Sequence, residues 1–237
     1  MAVLGLLGFA LLMGLMLLPQ YWIRRVDKKY GDHRSDLPGT GGELAKHLIE
    51  HFGIDGVRVE ATPNGAEYMD HYDPIEKVVR LSPSNLDGTS ITTVAVAAHE
   101  VAHAMQDFDG QNGRNDGGMK MRHRLVSLTQ YTDKFASAFF LLSPFFGLLA
   151  RTPVAFIGLI LIGVGLLAIR VLVHLLTLPV ELDASFKRAL PILEEGGYLH
   201  EDDLPAARSV LKAAAFTYVA GAVRSLVDVA QWIRILR

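Results

Sequence analysis

Two histidines one helical turn apart are the side chains of this sequence best suited to chemistry. His99, Glu100 and His103 form the pattern H-E-x-x-H. On a helix, positions i and i+4 lie on one face, so both imidazoles can reach a single ion. A random sequence of this composition would contain the pattern only about 1% of the time. The spacing therefore predicts one zinc ion bound by the two histidines, with the Glu100 carboxylate beside it.

A zinc ion held in this way would support hydrolysis. Zinc lowers the pKa of a coordinated water toward about 7, and Glu100 is placed to take the proton and deliver it to a leaving amine. The alternative is a structural cluster on an amphipathic helix. Burying two histidines and a glutamate without a metal is costly unless each polar group finds a partner. We therefore predict hydrolysis by zinc-activated water with Glu100 as general base.

The third zinc ligand is not fixed by the motif. Catalytic zinc usually has three protein ligands and one open position, and the chain has no cysteine to supply one. Glu181 is a distant candidate, because two predicted membrane spans separate it from His103 and return the chain to the same side. The candidates nearer in sequence are Asp107, Asp109, Asp116 and His123.

Apolar blocks predict about three transmembrane helices. Half of the residues are hydrophobic, and the mean hydropathy of +0.27 is high for a soluble domain. Residues 1–23 carry no charged side chain, and 135–178 form an apolar hairpin. Basic residues follow the first span, at Arg24, Arg25, Lys28 and Lys29. This charge order disfavours a cleaved signal peptide and places the following residues in the cytoplasm.

The remaining pattern predicts a mainly α, α+β fold with a small sheet. Helices are expected at Glu43–Phe52 and Ile91–Asp107, the second capped by Thr89 or Ser90, and short strands at Val57–Ala61 and Lys77–Leu81. A further helix is expected from Glu181 to Leu193, and Pro179 favours a break before it.

This pattern divides the chain into four parts. Residues 205–237 are a fourth span, an interfacial helix or a packing helix, and the sequence leaves these alternatives open. The parts are an N-terminal anchor (1–23), a cytoplasmic part with the H-E-x-x-H helix (24–134), a transmembrane hairpin (135–178) and a helical part carrying Glu181 (179–237).

Several segments together resemble the YugP-type bacterial membrane zinc metallopeptidases. These segments are Asp70–Pro74, Lys77–Ser82, Val96–Gln106, Glu181–Ser185 and Ala213–Ala220. With the N-terminal anchor, the resemblance covers almost the whole chain. It implies a zincin-like domain in the bacterial inner membrane that cleaves membrane or membrane-proximal proteins at the cytoplasmic face. The net charge of −2 gives no support to a nucleic-acid partner.

The resemblance also implies a ligand set. The family is similar to the gluzincin-like HtpX and CAAX-prenyl proteases, in which the third ligand is the Glu of E-x-x-A-D. Carried over, that ligand is Glu181, which joins His99 and His103. Ala184 matches the Ala, but Ser185 stands where the wider group has an Asp that orients a ligand histidine. The side chains that could replace this Asp are Asp183, Ser185 and His174.

For each of three further features, the sequence leaves two interpretations open. Tyr218 and Arg188 are candidate oxyanion donors, with a packed tyrosine and a solvated charge as the alternatives. Lys77–Ser82 resembles the edge strand along which zincins bind substrate, or is an ordinary strand. The chain as a whole is a metallopeptidase or, with Ser185 as the only support, an inactive membrane scaffold or adaptor.

Overall fold

The computed structural model describes residues 2–67, 69–112 and 152–235, and separate residues between 124 and 145. The chain divides into two compact units. The α/β unit consists of Tyr21–Met121 and Pro179–Thr217, and the helical unit consists of Met1–Gln20, Arg122–Leu178 and Tyr218–Arg237. The four-part division expected from the sequence stays a prediction.

The described residues are mostly helical, with one small sheet. The α-helices are α1 (Ala2–Tyr30), α2 (Gly41–His51), α3 (Pro83–Leu86), α4 (Ile91–Gln111), α5 (Pro153–Leu182), α6 (Leu190–Glu195) and α7 (Leu204–Ile235). A π-helix (Asp183–Ala189) joins α5 to α6, and short 3-10 helices lie at Pro63–Gly65 and Glu201–Asp203. The strands are β1 (Arg58–Ala61), β2 (His71–Asp73) and β3 (Val78–Leu81). The expectation of a mainly α, α+β fold with a small sheet is confirmed.

Side-chain caps define where the two central helices of the α/β unit begin. Ser90 precedes α4, and its hydroxyl accepts a hydrogen bond from the backbone N–H of Thr93 at 3.1 Å. Thr40 precedes α2 and forms a reciprocal pair of hydrogen bonds with Glu43. Such caps satisfy N–H groups that have no partner within the helix. They fix the register of α4, and with it the positions of the motif residues.

The sheet has the order β1-β3-β2, so β3 is its central strand. Strand β1 pairs with β3 in parallel, with Val59 opposite Val79, and β2 pairs with β3 antiparallel, with Tyr72 opposite Val79. The expectation that the segment Lys77–Ser82 forms an edge strand is therefore wrong. Both edges of β3 are occupied by neighbouring strands, so β3 itself offers no free edge with which a peptide could pair.

The core of the α/β unit lies around α4. Its fully buried side chains include Leu48 from α2, Val79 from β3, Val101 from α4 and Leu193 from α6. Five of the buried residues of α4 are alanines, and their small side chains allow neighbouring elements to approach closely. This packing positions α4 against the π-helix that follows Glu181.

One segment of the described residues, Ile157–Glu195, is long and apolar enough to cross a membrane, by length and composition alone. Only 12% of its most apolar stretch is buried within the protein, which suits a lipid environment. The sequence predicts about three spans, whereas the residues that the structure describes contain one candidate span. Most of residues 135–150 and the side chains of residues 1–13 lie outside the described residues.

The sequence favours a helix break at Pro179. Helix α5 instead continues through this residue to Leu182. Before the proline, the Thr177 hydroxyl donates to the carbonyl oxygens of Val173 and His174, at 2.9 and 3.1 Å. The carbonyl that Pro179 leaves without an N–H donor is that of Leu175, four residues earlier, so the threonine bonds lie beside the disturbed position rather than at it. The continuation carries Glu181 on the last turn of the same helix.

Candidate metal centre

Helix α4 brings the two histidines of the motif together. The ring centroids of His99 and His103 are 4.7 Å apart, and the ring planes are inclined by 78°. The residues are 4% and 1% exposed, respectively. One helical turn separates them, as the i and i+4 spacing predicts. Both imidazoles therefore sit in a site from which bulk water is largely excluded.

Glu181 approaches both rings from the end of α5. Its Oε2 atom is 3.2 Å from Nε2 of His103 and 3.4 Å from Nε2 of His99, and the residue is 1% exposed. One potential ligand atom from each of the three residues lies within 4.8 Å of the other two. The structure thus brings together the three side chains expected to bind the metal, although they come from segments 78 residues apart.

This donor set fits a divalent zinc ion. Two imidazole nitrogens and one carboxylate oxygen are the ligand types of many catalytic zinc sites. Three electron-pair donors buried at such short separations are mutually unfavourable unless a cation or a proton lies between them. His99, His103 and Glu181 could therefore hold a metal ion.

Glu100 lies on α4 next to the first histidine and is 6% exposed. In the part of the chain that the structure describes, no hydrogen bond or ion pair occupies its carboxylate. A buried carboxylate that is not committed to another side chain is available to exchange a proton with a substrate or water. Its position agrees with the expected role of a base rather than of a ligand.

The second ring nitrogen of each imidazole, Nδ1, also lies within hydrogen-bonding distance of a side chain. Nδ1 of His103 lies 2.9 Å from Oε1 of Gln106, and Nδ1 of His99 lies 3.1 Å from the hydroxyl oxygen of Ser185. Ser185, one of the three side chains expected to make the orienting contact, does contact His99. The sequence pattern did not single out Gln106, although its position three residues after His103 places it on the same helix face.

The nearby acidic residues are used elsewhere. Asp107 accepts a hydrogen bond from the Tyr72 hydroxyl at 2.8 Å and forms an ion pair with Lys77. Burial and this hydrogen bond raise the pKa of Tyr72 well above its usual range, so the phenol stays protonated. Asp109 pairs with Arg188 at 2.8 Å. The other two candidate ligands, Asp116 and His123, lie outside the described residues.

The two candidate oxyanion donors have different surroundings. Arg188 bonds Asp109 and also Asp183, the second at 3.0 Å, so its guanidinium is part of an ion-pair network. Tyr218 belongs to the helical unit, where its ring packs edge-on against His174 with centroids 5.9 Å apart. These contacts agree with structural roles for both residues, and the oxyanion role stays a prediction.

Comparison with known proteins agrees with the site. A family model described as "Putative neutral zinc metallopeptidase" matches residues 6–237. The chain is 33% identical over 223 residues to the "Putative membrane protease YugP" of Bacillus subtilis (strain 168), which covers 94% of this chain and 92% of that protein. No solved structure matches it. The chain therefore belongs to this zinc metallopeptidase family, as its resemblance to the YugP-type proteins predicted.

Proposed function

We propose that the protein is a membrane-bound zinc metalloendopeptidase that hydrolyses peptide bonds with Glu100 as general base. The observation that carries the proposal is the convergence of His99, His103 and Glu181 on one buried point, with Glu100 beside it. The family assignment supports the same reaction class. Nothing in this arrangement requires a second metal ion, so we propose one zinc per chain.

Each side chain has a distinct role in this proposal. His99, His103 and Glu181 hold the ion, which when bound would act as a Lewis acid and lower the pKa of water. Glu100 removes a proton from the attacking water and returns it to the amine that leaves the cleaved peptide bond. The burial of the site strengthens the electrostatic interactions among these groups, because water screens them poorly there.

We further propose that the site faces the cytoplasm and acts on membrane or membrane-proximal proteins. Three spans, at residues 1–23 and in the hairpin 135–178, would place 24–134 and 179–237 on one side of the bacterial inner membrane. Basic residues directly after the first span support the cytoplasmic side. The relative's name as a membrane protease and the long apolar segment Ile157–Glu195 support the membrane location.

Glu100→Gln tests the base. The substitution keeps the size of the side chain and all three proposed ligands, so we expect zinc content to be unchanged. Loss of the base should reduce cleavage of an unfolded protein substrate about 10²–10⁴-fold. Metal analysis and a fluorescent cleavage assay on the purified full chain measure both quantities.

Glu50→Gln is a matched control, because Glu50 is an exposed residue of α2 and should leave both quantities unchanged. Cleavage by Glu100→Gln at the wild-type rate would contradict the base assignment. Wild-type protein that binds zinc but cleaves no substrate would favour the scaffold alternative. The contact between Ser185 and the proposed ligand His99 weakens the only sequence support for that alternative.

A further inference from the structure

Each ligand histidine has a second ring nitrogen that is bonded to a fully buried polar side chain. Building on the proposed zinc site, we propose that Gln106 and Ser185 are positioning residues that fix both rings with hydrogen on Nδ1. Only this tautomer leaves an electron pair on Nε2, the atom next to Glu181. The two residues would thus set the direction in which His99 and His103 can bind a metal.

Gln106 fixes the tautomer of His103 because its own amide has only one satisfactory orientation. Its Nε2 atom donates to the backbone carbonyl of Val180 at 3.0 Å and to the Asp183 carboxylate at 2.8 Å. Both partners are pure acceptors, so the NH₂ group must face them and Oε1 must face His103. An amide oxygen accepts only, and Nδ1 of His103, 2.9 Å away, therefore carries the hydrogen.

Ser185 fixes the tautomer of His99 in a similar way. Its hydroxyl has one hydrogen, which it donates to the backbone carbonyl of Leu211 at 3.2 Å. The oxygen is then the acceptor in the contact of 3.1 Å with Nδ1 of His99. The serine is fully buried, so water does not compete for either bond. Both rings consequently present Nε2 as an electron-pair donor.

An ion-pair network supports the Gln106 amide from behind. The Asp183 carboxylate that accepts from Gln106 is bonded by Arg188, which in turn bonds Asp109 on α4. Asp183 and Arg188 are five residues apart within the π-helix and can therefore face each other across its wider turn. The network joins α4 to the π-helix and restrains the amide that orients His103.

Neutral orienting residues also suit the charge of the site. The two positive charges of a zinc ion would be balanced by the carboxylates of Glu181 and Glu100. A carboxylate at position 185 would add a third negative charge close to His99. Uncompensated buried charge is costly. Gln106 and Ser185 orient the rings without changing this balance.

The test combines metal affinity with the tautomer of the metal-free protein. In full-length protein labelled with ¹⁵N-histidine, long-range ¹H–¹⁵N spectra distinguish hydrogen on Nδ1 from hydrogen on Nε2, and histidine-to-asparagine variants assign the signals. We expect Nδ1 to carry the hydrogen in His99 and His103. Gln106→Leu should abolish this preference at His103 alone, and Ser185→Ala at His99 alone. Each should raise the zinc dissociation constant about 10–100-fold.

Matched controls remove the same groups elsewhere. Gln111→Leu changes an exposed residue at the end of α4, and Ser209→Ala removes a hydroxyl that bonds Pro205 on α7. Both should leave zinc affinity within about twofold of wild type. Zinc affinity in Gln106→Leu and Ser185→Ala equal to that of the controls overturns the proposal, as does an Nδ1 atom without hydrogen in either ring of the wild-type protein. If Gln106→Leu does not fold, the zinc affinity of Ser185→Ala and the wild-type spectrum still test the proposal. A wild-type protein that binds no zinc overturns the zinc site itself.

Discussion

Glu181 completes a set of donors that α4 alone does not provide. The two histidines offer neutral nitrogens, and the glutamate contributes the only negative charge among the three proposed ligands. Its carboxylate lies within 3.4 Å of both Nε2 atoms. Asp107 lies on the histidine helix but is held by Tyr72 and Lys77. The choice between these carboxylates is therefore decided by their hydrogen-bond partners.

The substitution Glu181→Gln should remove the negative charge of this side chain and keep its shape. We expect zinc affinity to fall more than about 100-fold, which exceeds the usual effect of losing an outer hydrogen bond to a ligand. Asp107→Asn is the matched control and should retain zinc, because its carboxylate serves Tyr72 and Lys77. Competition with a coloured chelator measures both affinities. Full zinc retention by Glu181→Gln would contradict the ligand role of Glu181. The remaining candidates for the third ligand would then be Asp116 and His123, which lie outside the described residues.

Asp27 provides a test at the residue scale that does not involve metal. Burial raises the pKa of this carboxyl above its usual 3.8, and the charge of Asp70 raises it further. The folded state thus holds the Asp27 proton more tightly than the unfolded state does. This contribution to stability is complete below pH 3.8 and is lost as the pH rises through the folded-state pKa.

Asp27→Asn should therefore stabilise the protein at pH 7 and have little effect near pH 3. Because Asp27 is only half-buried, solvent screening limits the gain in unfolding free energy to about 1 kcal/mol or less. Asp36→Asn is a control of opposite sign, since hydrogen bonds from Arg34 lower the pKa of Asp36 to about 2. Thermal unfolding at both pH values measures the effect. A stabilisation that is equal at pH 3 and pH 7 would contradict the charge argument.

At the scale of elements, the π-helix after α5 connects the proposed ligand to its orienting residues. Its wider turns let side chains five apart meet, as Asp183 and Arg188 do. It also carries Ser185 to His99. The sequence predicts an ordinary helix here, because hydrophobic periodicity does not distinguish an occasional five-residue hydrogen-bond repeat from a four-residue one. The helix propensities of its residues could not have predicted the π-helix either.

The start of α2 packs too closely against its neighbours to allow a side chain. A Cβ atom on Gly41 would lie less than 3.0 Å from the carbonyl oxygen of Asn85 and the methyl group of Thr93. We expect Gly41→Ala to lower the free energy of unfolding by about 1–3 kcal/mol, the usual cost of overpacking. Gly165→Ala in α5 is the control, because nothing lies within 4 Å of the added carbon.

Chemical denaturation of the two variants measures this difference. Because Thr93 belongs to the first turn of α4, part of the loss should appear as weaker zinc binding. Equal stability of Gly41→Ala and wild type would show that α2 can move away from α4 at no cost. It would also mean that α2 does not help to position the motif helix.

Short-range signals predicted most of the elements. Helix α4, its Ser90 cap and the strands β1 and β3 follow from periodicity and capping chemistry. The order of the strands did not follow, because β2 has only three residues and the Pro74 directly after it resembles a turn signal. The local pattern also says nothing about which strand is central. Strand order depends on tertiary packing that the alternation of side chains does not encode.

For the whole molecule, the sequence predicted which three side chains converge more completely than it predicted their surroundings. His99 and His103 follow from helical spacing, and Glu181 required the family resemblance in addition to the membrane topology. The structure places all three in the α/β unit, although two segments of that unit are separated by residues 122–178 of the helical unit. Gln106 was not distinguishable from an ordinary polar residue, and Ser185 was only one of three candidates for the orienting contact, because both roles depend on contacts between distant segments.

A bound ion that bridges these two segments should stabilise the whole α/β unit. Ligands that bind only the folded state raise its stability, by about 2.7 kcal/mol at a concentration 100 times the dissociation constant. We expect a chelator to lower the melting temperature of the wild-type protein and added zinc to restore it. The Glu181→Gln variant should melt at nearly the same temperature with and without chelator, which excludes a general effect of the chelator. Wild-type protein shown to contain zinc, but with a melting temperature unchanged by its removal, would mean that the ion does not join α4 to the end of α5.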